Sequence, residues 1–249
     1  MSKDSSNQPP ASAHPVESPE PRQWGFWAII LGILAFLGSQ VVIGAIAYGI
    51  AGKELSTSAQ FYTYGGSSLL TLALLSRILR RYHATFRDLG LRAFKPKFIG
   101  YAAVALPVYI VLSGLTTKLA TSVQPHFNLD QKQDLGFTGA HSIPELVMVF
   151  ASLVLLPPLL EELLFRGFIF KGALKHFHPI VAALFTSVLF GAAHGQWNVG
   201  LDTFSLSLVL CFLAYKTKSL WPGIVLHASK NCIAFFYVFI VPLVHSGHF

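Results

Sequence analysis

Charge is what this sequence has least of. Only 12% of its 249 residues are Asp, Glu, Lys or Arg and 53% are hydrophobic, whereas a soluble domain carries about 25% charged residues. The deficit runs along nearly the whole chain, and mean hydropathy is +0.56. Soluble globular classes are thereby excluded, and the relevant solvent is lipid. Cysteine is almost absent. Cys211 and Cys232 sit in apolar runs with no His or Cys at ligand spacing beside them, which excludes a disulfide framework and a structural zinc site. Both read as small core residues. Also missing are a Gly-x-Ser-Gly nucleophile, a pair of mid-helix aspartates and a His-Glu-x-x-His helix, so the familiar serine, aspartyl and zincin designs do not fit. The net charge of +7 does not point to nucleic acid. It is the Lys and Arg excess that orients membrane proteins.

What is present is a set of long apolar runs. Spanning about 30 Å takes roughly 20 helical residues. Seven runs qualify, at 24–50, 57–77, 98–120, 144–170, 179–195, 199–216 and 221–244. The second is the most polar, interrupted by Tyr62, Gly65 and Gly66. The predicted fold is therefore all-α, a polytopic transmembrane helix bundle of about seven spans, with six to eight compatible with the pattern. Residues 1–22 are polar and proline-rich and read as a disordered cytoplasmic tail. Residues 23–143 read as N-terminal transmembrane helices with a basic interfacial loop, and 144–244 as a second transmembrane core.

Basic residues cluster between Arg77 and Lys97, at Lys171 and Lys175, and at Lys216 and Lys218; the alternate loops hold only Lys53 and Lys132. The positive-inside rule then predicts a cytoplasmic N-terminus and, with seven spans, an external C-terminus.

Ionisable residues inside such runs each cost about 2.5–3.5 kcal/mol on insertion scales and are usually functional. The fourth run carries Glu161, Glu162 and Arg166 just after Pro157 and Pro158. Glu162 and Arg166, four apart, share a helix face and can pair. Glu161 lies about 100° round the helix and is left for other work. The fifth run ends with Phe190 and His194 on one face, flanked by Gly191 and Gly195, which let a neighbouring helix approach. The seventh carries His227 and Asn231, again four apart. At 1.5 Å rise per residue, Glu161 is ~15 Å above Lys171 and His227 ~13 Å above Lys218, so these side chains can meet near mid-membrane. Glutamate with histidine can deprotonate a water. A second histidine and an asparagine can stabilise an oxyanion. Asp202 reads instead as a solvated cap, Lys230 as structural, and His176, His178, His245 and His248 as interfacial.

Glu161-Glu162-Leu163-Leu164-Phe165-Arg166, Phe190-Gly191-Ala192-Ala193-His194 and His227-Ala228-Ser229-Lys230-Asn231, in that order on separate helices, resemble the motifs of the CAAX-protease and bacteriocin-processing family of intramembrane endopeptidases, also called Abi proteins. The likeness covers about 144–243. It implies that Glu161 and His194 activate water, that Glu162 and Arg166 support them, and that His227 and Asn231 stabilise the oxyanion. Phe190 is then a candidate substrate contact. The family is described both as glutamate proteases and as metalloproteases. A metal-independent water is the favoured expectation; a zinc ion, if used, would fall to Glu161, His194 and His227. The expected partners are the bilayer and a hydrophobic or lipid-anchored peptide, in a bacterial cell membrane. A catalytically silent immunity or scaffold protein and a proton-coupled transporter are the alternatives.

Overall fold

The computed structural model describes residues 24–124, 136, 137, 140 and 142–245. The N-terminal tail, Lys132 and His248 lie outside them. Eight helices follow in order: α1 (Phe26–Ala51), α2 (Thr57–Arg81), α3 (Phe86–Leu89), α4 (Lys97–Val123), α5 (Ile143–Ala173), α6 (Pro179–Ala192), α7 (Trp197–Thr217) and α8 (Trp221–His245). Seven are long rods within a few residues of the predicted runs. No strand occurs among the described residues.

Five rods, α1, α4, α5, α7 and α8, are long and apolar enough to cross a membrane. This is an integral membrane protein. Helix α2 has the length but is too rich in Ser, Thr and Arg, and α6 has only 14 residues. Much of α1 and α4 is exposed and apolar, including Leu34, Val41, Val104 and Val111. Such side chains suit acyl tails.

In lipid, small side chains and internal hydrogen bonds bring helices together more than apolar burial does. The α6–α7 crossing shows this. A Cβ on Gly191 would stand 2.6 Å from the Gly200 carbonyl oxygen, and one on Gly200 would stand 2.9 Å from that of Gly191. Only hydrogen on both sides permits backbone to touch backbone. Beside this crossing, α1 and α2 pack on α5, where Trp24 stacks on Phe168 at 5.3 Å and donates from Nε1 to its carbonyl at 3.0 Å.

Helix α5 is not regular. π-helical turns occupy Ala151–Leu155 and Glu162–Phe170, on either side of a short α segment that begins Leu156-Pro157-Pro158. The cause is local: two successive prolines supply no N–H to the carbonyls four residues back, and the winding opens to accommodate their rings. The carbonyls freed are those of Leu153 and Val154, and in lipid such groups need another partner.

The three basic segments meet at one end of the bundle: Arg92, Lys171 and Lys218 line a single small cavity there. Short α3, held by a Thr85–Asp88 capping box, lies at the same end, as expected for an interfacial segment.

Candidate functional site

The three motif helices bring their polar side chains together. Arg166 Nη1 donates to Glu162 Oε1 at 2.9 Å, and both side chains are almost wholly buried. His227 sits between the two acids, with Nδ1 3.2 Å from Glu162 Oε1 and Nε2 3.8 Å from Glu161 Oε2. With Nδ1 as donor, His227 spends one nitrogen on Glu162 and turns the other towards Glu161. Arg166 reaches Glu162 alone, as helical spacing predicts.

Phe190 fills the space between these groups. The Arg166 guanidinium lies 4.2 Å over its ring, a cation–π geometry. His194 and His227 pack edge-on at 5.0 and 5.8 Å. Phe190 is fully buried and is absent from the walls of the cavity described below. The ring expected to contact substrate thus touches Arg166 and both histidines.

Helix α6 stops at Ala192, so His194 stands in the following turn and not on the helix itself. Its Nδ1 bonds the Phe190 carbonyl oxygen at 2.8 Å, satisfying one of the orphan acceptors at a helix end. With Nδ1 protonated for that bond, Nε2 is left as the acceptor.

Asn231 Nδ2 donates to the Leu153 carbonyl at 2.9 Å. This is the acceptor that Pro157, four residues on, cannot serve. The asparagine on α8 therefore replaces a bond that α5 has lost, and it ties the two helices together. One of its two amide hydrogens remains for other use.

Glu161, His194, His227, Lys230 and Asn231 line one cavity of about 600 Å³, within the size of ligand pockets generally, and Tyr64 of α2 closes one side of it. Glu161 keeps 17% of its side chain exposed, against 1% for Glu162. One acid is committed to structure and the other faces the cavity.

Sequence reasoning missed the network behind Lys230. Its Nζ lies 3.4 Å from Asp202 Oδ2, and Asp202 Oδ1 accepts from both Tyr109 and Ser113 at 2.6 Å. Asp202 is thus not a solvated cap but the centre of a three-helix polar link. The signal available was Lys230 itself, at depth and one residue from Asn231. Of the cysteines, Cys211 is buried as expected, while Cys232 is exposed.

The donor set for a metal is not assembled. Among the described residues no three His, Cys, Asp or Glu side chains are grouped closely enough to hold an ion. Glu161, His194 and His227 share a cavity but do not converge on one point as zinc ligands do, partly because His227 is turned to Glu162. No step below is routed through a metal.

Two adjacent acids, an arginine and two histidines from three helices are thus gathered at one place in an all-helical membrane protein. Residues 143–233, which include α5, α6, α7 and the first half of α8, match the family model described as type II CAAX prenyl endopeptidase Rce1-like. Over 86 residues the chain is 31% identical to a Bacillus subtilis (strain 168) protein whose printed description is "Putative membrane peptidase YdiL". That stretch is 34% of this chain and 34% of the relative, so the match spans about a third of either protein. No solved structure matches significantly.

Proposed function

We propose that the chain is an intramembrane endopeptidase that hydrolyses a peptide bond of a hydrophobic or lipid-anchored peptide. The observation that carries this reading is the unequal pair: Glu162 is held by Arg166 and His227, while Glu161 faces the cavity with, among the described residues, only the more distant His227 as an ionic neighbour.

In this reading Glu161 takes a proton from a water in the cavity, and the His194 Nε2 lone pair holds the same water from the other side. The hydroxide attacks the scissile carbonyl. The free amide hydrogen of Asn231 and the Lys230 ammonium face the cavity and oppose the developing negative charge. The proton taken by Glu161 passes to His227 Nε2, which faces it, and from there to the amine nitrogen as the C–N bond breaks; Glu161 returns to its carboxylate form. Arg166 and Phe190 act through position: they fix Glu162, and Glu162 fixes the tilt of His227. The apolar remainder of the cavity wall, with Phe235 and Phe239, suits a peptide carrying apolar side chains. The N-terminus is assigned to the cytoplasm on the basic loops.

The test is quantitative proteomics of C-terminal peptide fragments in membranes carrying the wild type or Glu161→Gln, paired with cleavage of fluorogenic apolar peptides by the purified chain in detergent. Fragments that vanish in the variant support hydrolysis. Identical fragment sets, with the variant folded and abundant, overturn it in favour of a silent binding protein.

A further inference from the structure

Sharing no wall residue with the 600 Å³ cavity, a much smaller one of about 150 Å³ is also present in the bundle. Its walls include Arg92, Arg166, Lys171 and Lys218, drawn from the α3–α4 connection, α5 and the turn after α7, and no carboxylate is among them. Arg166 is already paired with Glu162; the other three, Arg92, Lys171 and Lys218, repel one another around so small a space unless an anion is present. Lys171 stands within electrostatic reach of Arg92 and Lys218. The one acid in its range is Asp88, which lies outside the cavity walls and is occupied with the Thr85 amide and hydroxyl. Lys171 itself donates to the Asp88 carbonyl, and Lys218 lies 4.2 Å over the Tyr215 ring.

Arg166 adds an independent observation. It is among the largest fully buried side chains in the protein. Nη1 is engaged with Glu162, but Nε and Nη2 find no hydrogen-bond partner. The nearby polar group is the buried Cys211 thiol, a weak acceptor. A buried guanidinium whose Nε and Nη2 have only a thiol within reach is under-satisfied, which is costly, and it favours a stronger acceptor. The planar fork of Nε and Nη2 is the arrangement that matches two oxygens of a phosphate. The volume is roughly ten times what a single water needs, enough for one tetrahedral anion and a few waters.

We propose that this cavity binds a phosphate group, with Arg166 at its floor and Arg92, Lys171 and Lys218 around its mouth. The phosphate is either free inorganic phosphate or a phosphomonoester lipid headgroup, since the cavity lies at the basic end of the bundle, where headgroups are present. Because the same guanidinium holds Glu162, occupancy of this cavity bears directly on the rigidity of the acid pair.

The experiment uses the full-length chain reconstituted in phosphatidylcholine nanodiscs and reads thermal unfolding. Phosphate is titrated against chloride at matched ionic strength, and a parallel set of discs contains phosphatidic acid. The expected result is a saturable rise in Tm with phosphate, or with phosphatidic acid alone if the headgroup is the ligand. In Arg92→Gln/Lys218→Gln the dissociation constant should weaken at least tenfold. Lys95→Gln/Lys97→Gln, whose side chains line a different groove, should bind as the wild type does. No rise with either probe overturns the proposal. So does a rise that survives the first double variant or is lost equally in the second, because binding would then lie elsewhere or be mere surface screening.

Discussion

The two walls that meet at His227 are built on opposite plans. On one side Glu162, Arg166 and Phe190 are sealed, with at most 1% of each acid or base side chain exposed and the aromatic ring filling what remains. On the other, Glu161, His194, Lys230 and Asn231 stand around open volume. Neighbouring glutamates, one peptide bond apart, fall on different sides of this line. Burial beside an opposite charge makes a carboxylate rigid and silent. Partial exposure with few partners leaves a charge available, and the sealed wall serves to hold the open one in register.

The sharpest way to break this comparison is to exchange the acids' fates. Arg166→Leu strips a buried carboxylate of its partner, and the expected loss of stability is about 3–5 kcal/mol, read as Tm and as yield of folded protein in detergent. Glu161→Gln should leave stability within about 1 kcal/mol of wild type, as expected where the side chain faces a cavity and lacks a close ionic partner, while cleavage falls by about 10²–10⁴-fold, the usual worth of a general base. Equal stability loss from both would erase the distinction between the walls.

A second probe pushes on the sealed wall without touching its charges. The Cβ of Gly223→Ala would stand 2.9 Å from Glu162 Oε2, and the carboxylate, held on its other oxygen, cannot swing freely. The expected cost is about 1–3 kcal/mol, with a fall in peptide cleavage as His227 loses its alignment. An unchanged Tm and rate would show that the acid pair is more mobile than its packing implies.

The Leu153–Asn231 bond sharpens the comparison from the open side. Asn231→Ala leaves the Leu153 carbonyl without its donor, for an expected loss of about 1–3 kcal/mol. In a Pro157→Ala background, α5 regains an N–H for that carbonyl, and Asn231→Ala should then cost measurably less. A double-mutant cycle on Tm that came out additive would show that the asparagine does not substitute for the missing helical bond.

The smallest expected effect lies outside the bilayer. Burial, with the charge of Lys171, lowers Lys175 to about 8, and its Nζ rests 4.5 Å over Trp24. The folded chain releases this proton before the unfolded chain does. Its contribution to stability should therefore rise as pH climbs from about 8 towards the ordinary lysine value near 10.5. Thermal unfolding across that window should show the rise, and Lys175→Met should flatten it.

Much of this was legible in the sequence. The rod boundaries of α1, α4, α5 and α7 follow from hydropathy and length alone, and the Glu162–Arg166 pairing follows from a spacing of four. Three things did not follow, each for a physical reason. The place of Phe190 depends on three helices meeting, which no local pattern encodes. His194 was expected on a helix that ends two residues before it, because apolar periodicity does not mark where the hydrogen-bond ladder stops. Asp202 looked solvated because its partners, Tyr109 and Ser113, lie 93 and 89 residues away.

The make-up of the larger cavity has a consequence for how such a protein can change its diet. Every group assigned to the chemistry lies within 143–233, but Tyr64, Ala234, Phe235, Tyr237, Val238, Phe239 and Pro242 fall outside that segment. These last positions hold no acid or imidazole. They can be re-cut to admit a bulkier, smaller or differently shaped guest while the acid–histidine apparatus stays as it is. In the proposed reading, selectivity and reactivity are separable along the chain, with the tail of one helix and the middle of another serving as the interchangeable part.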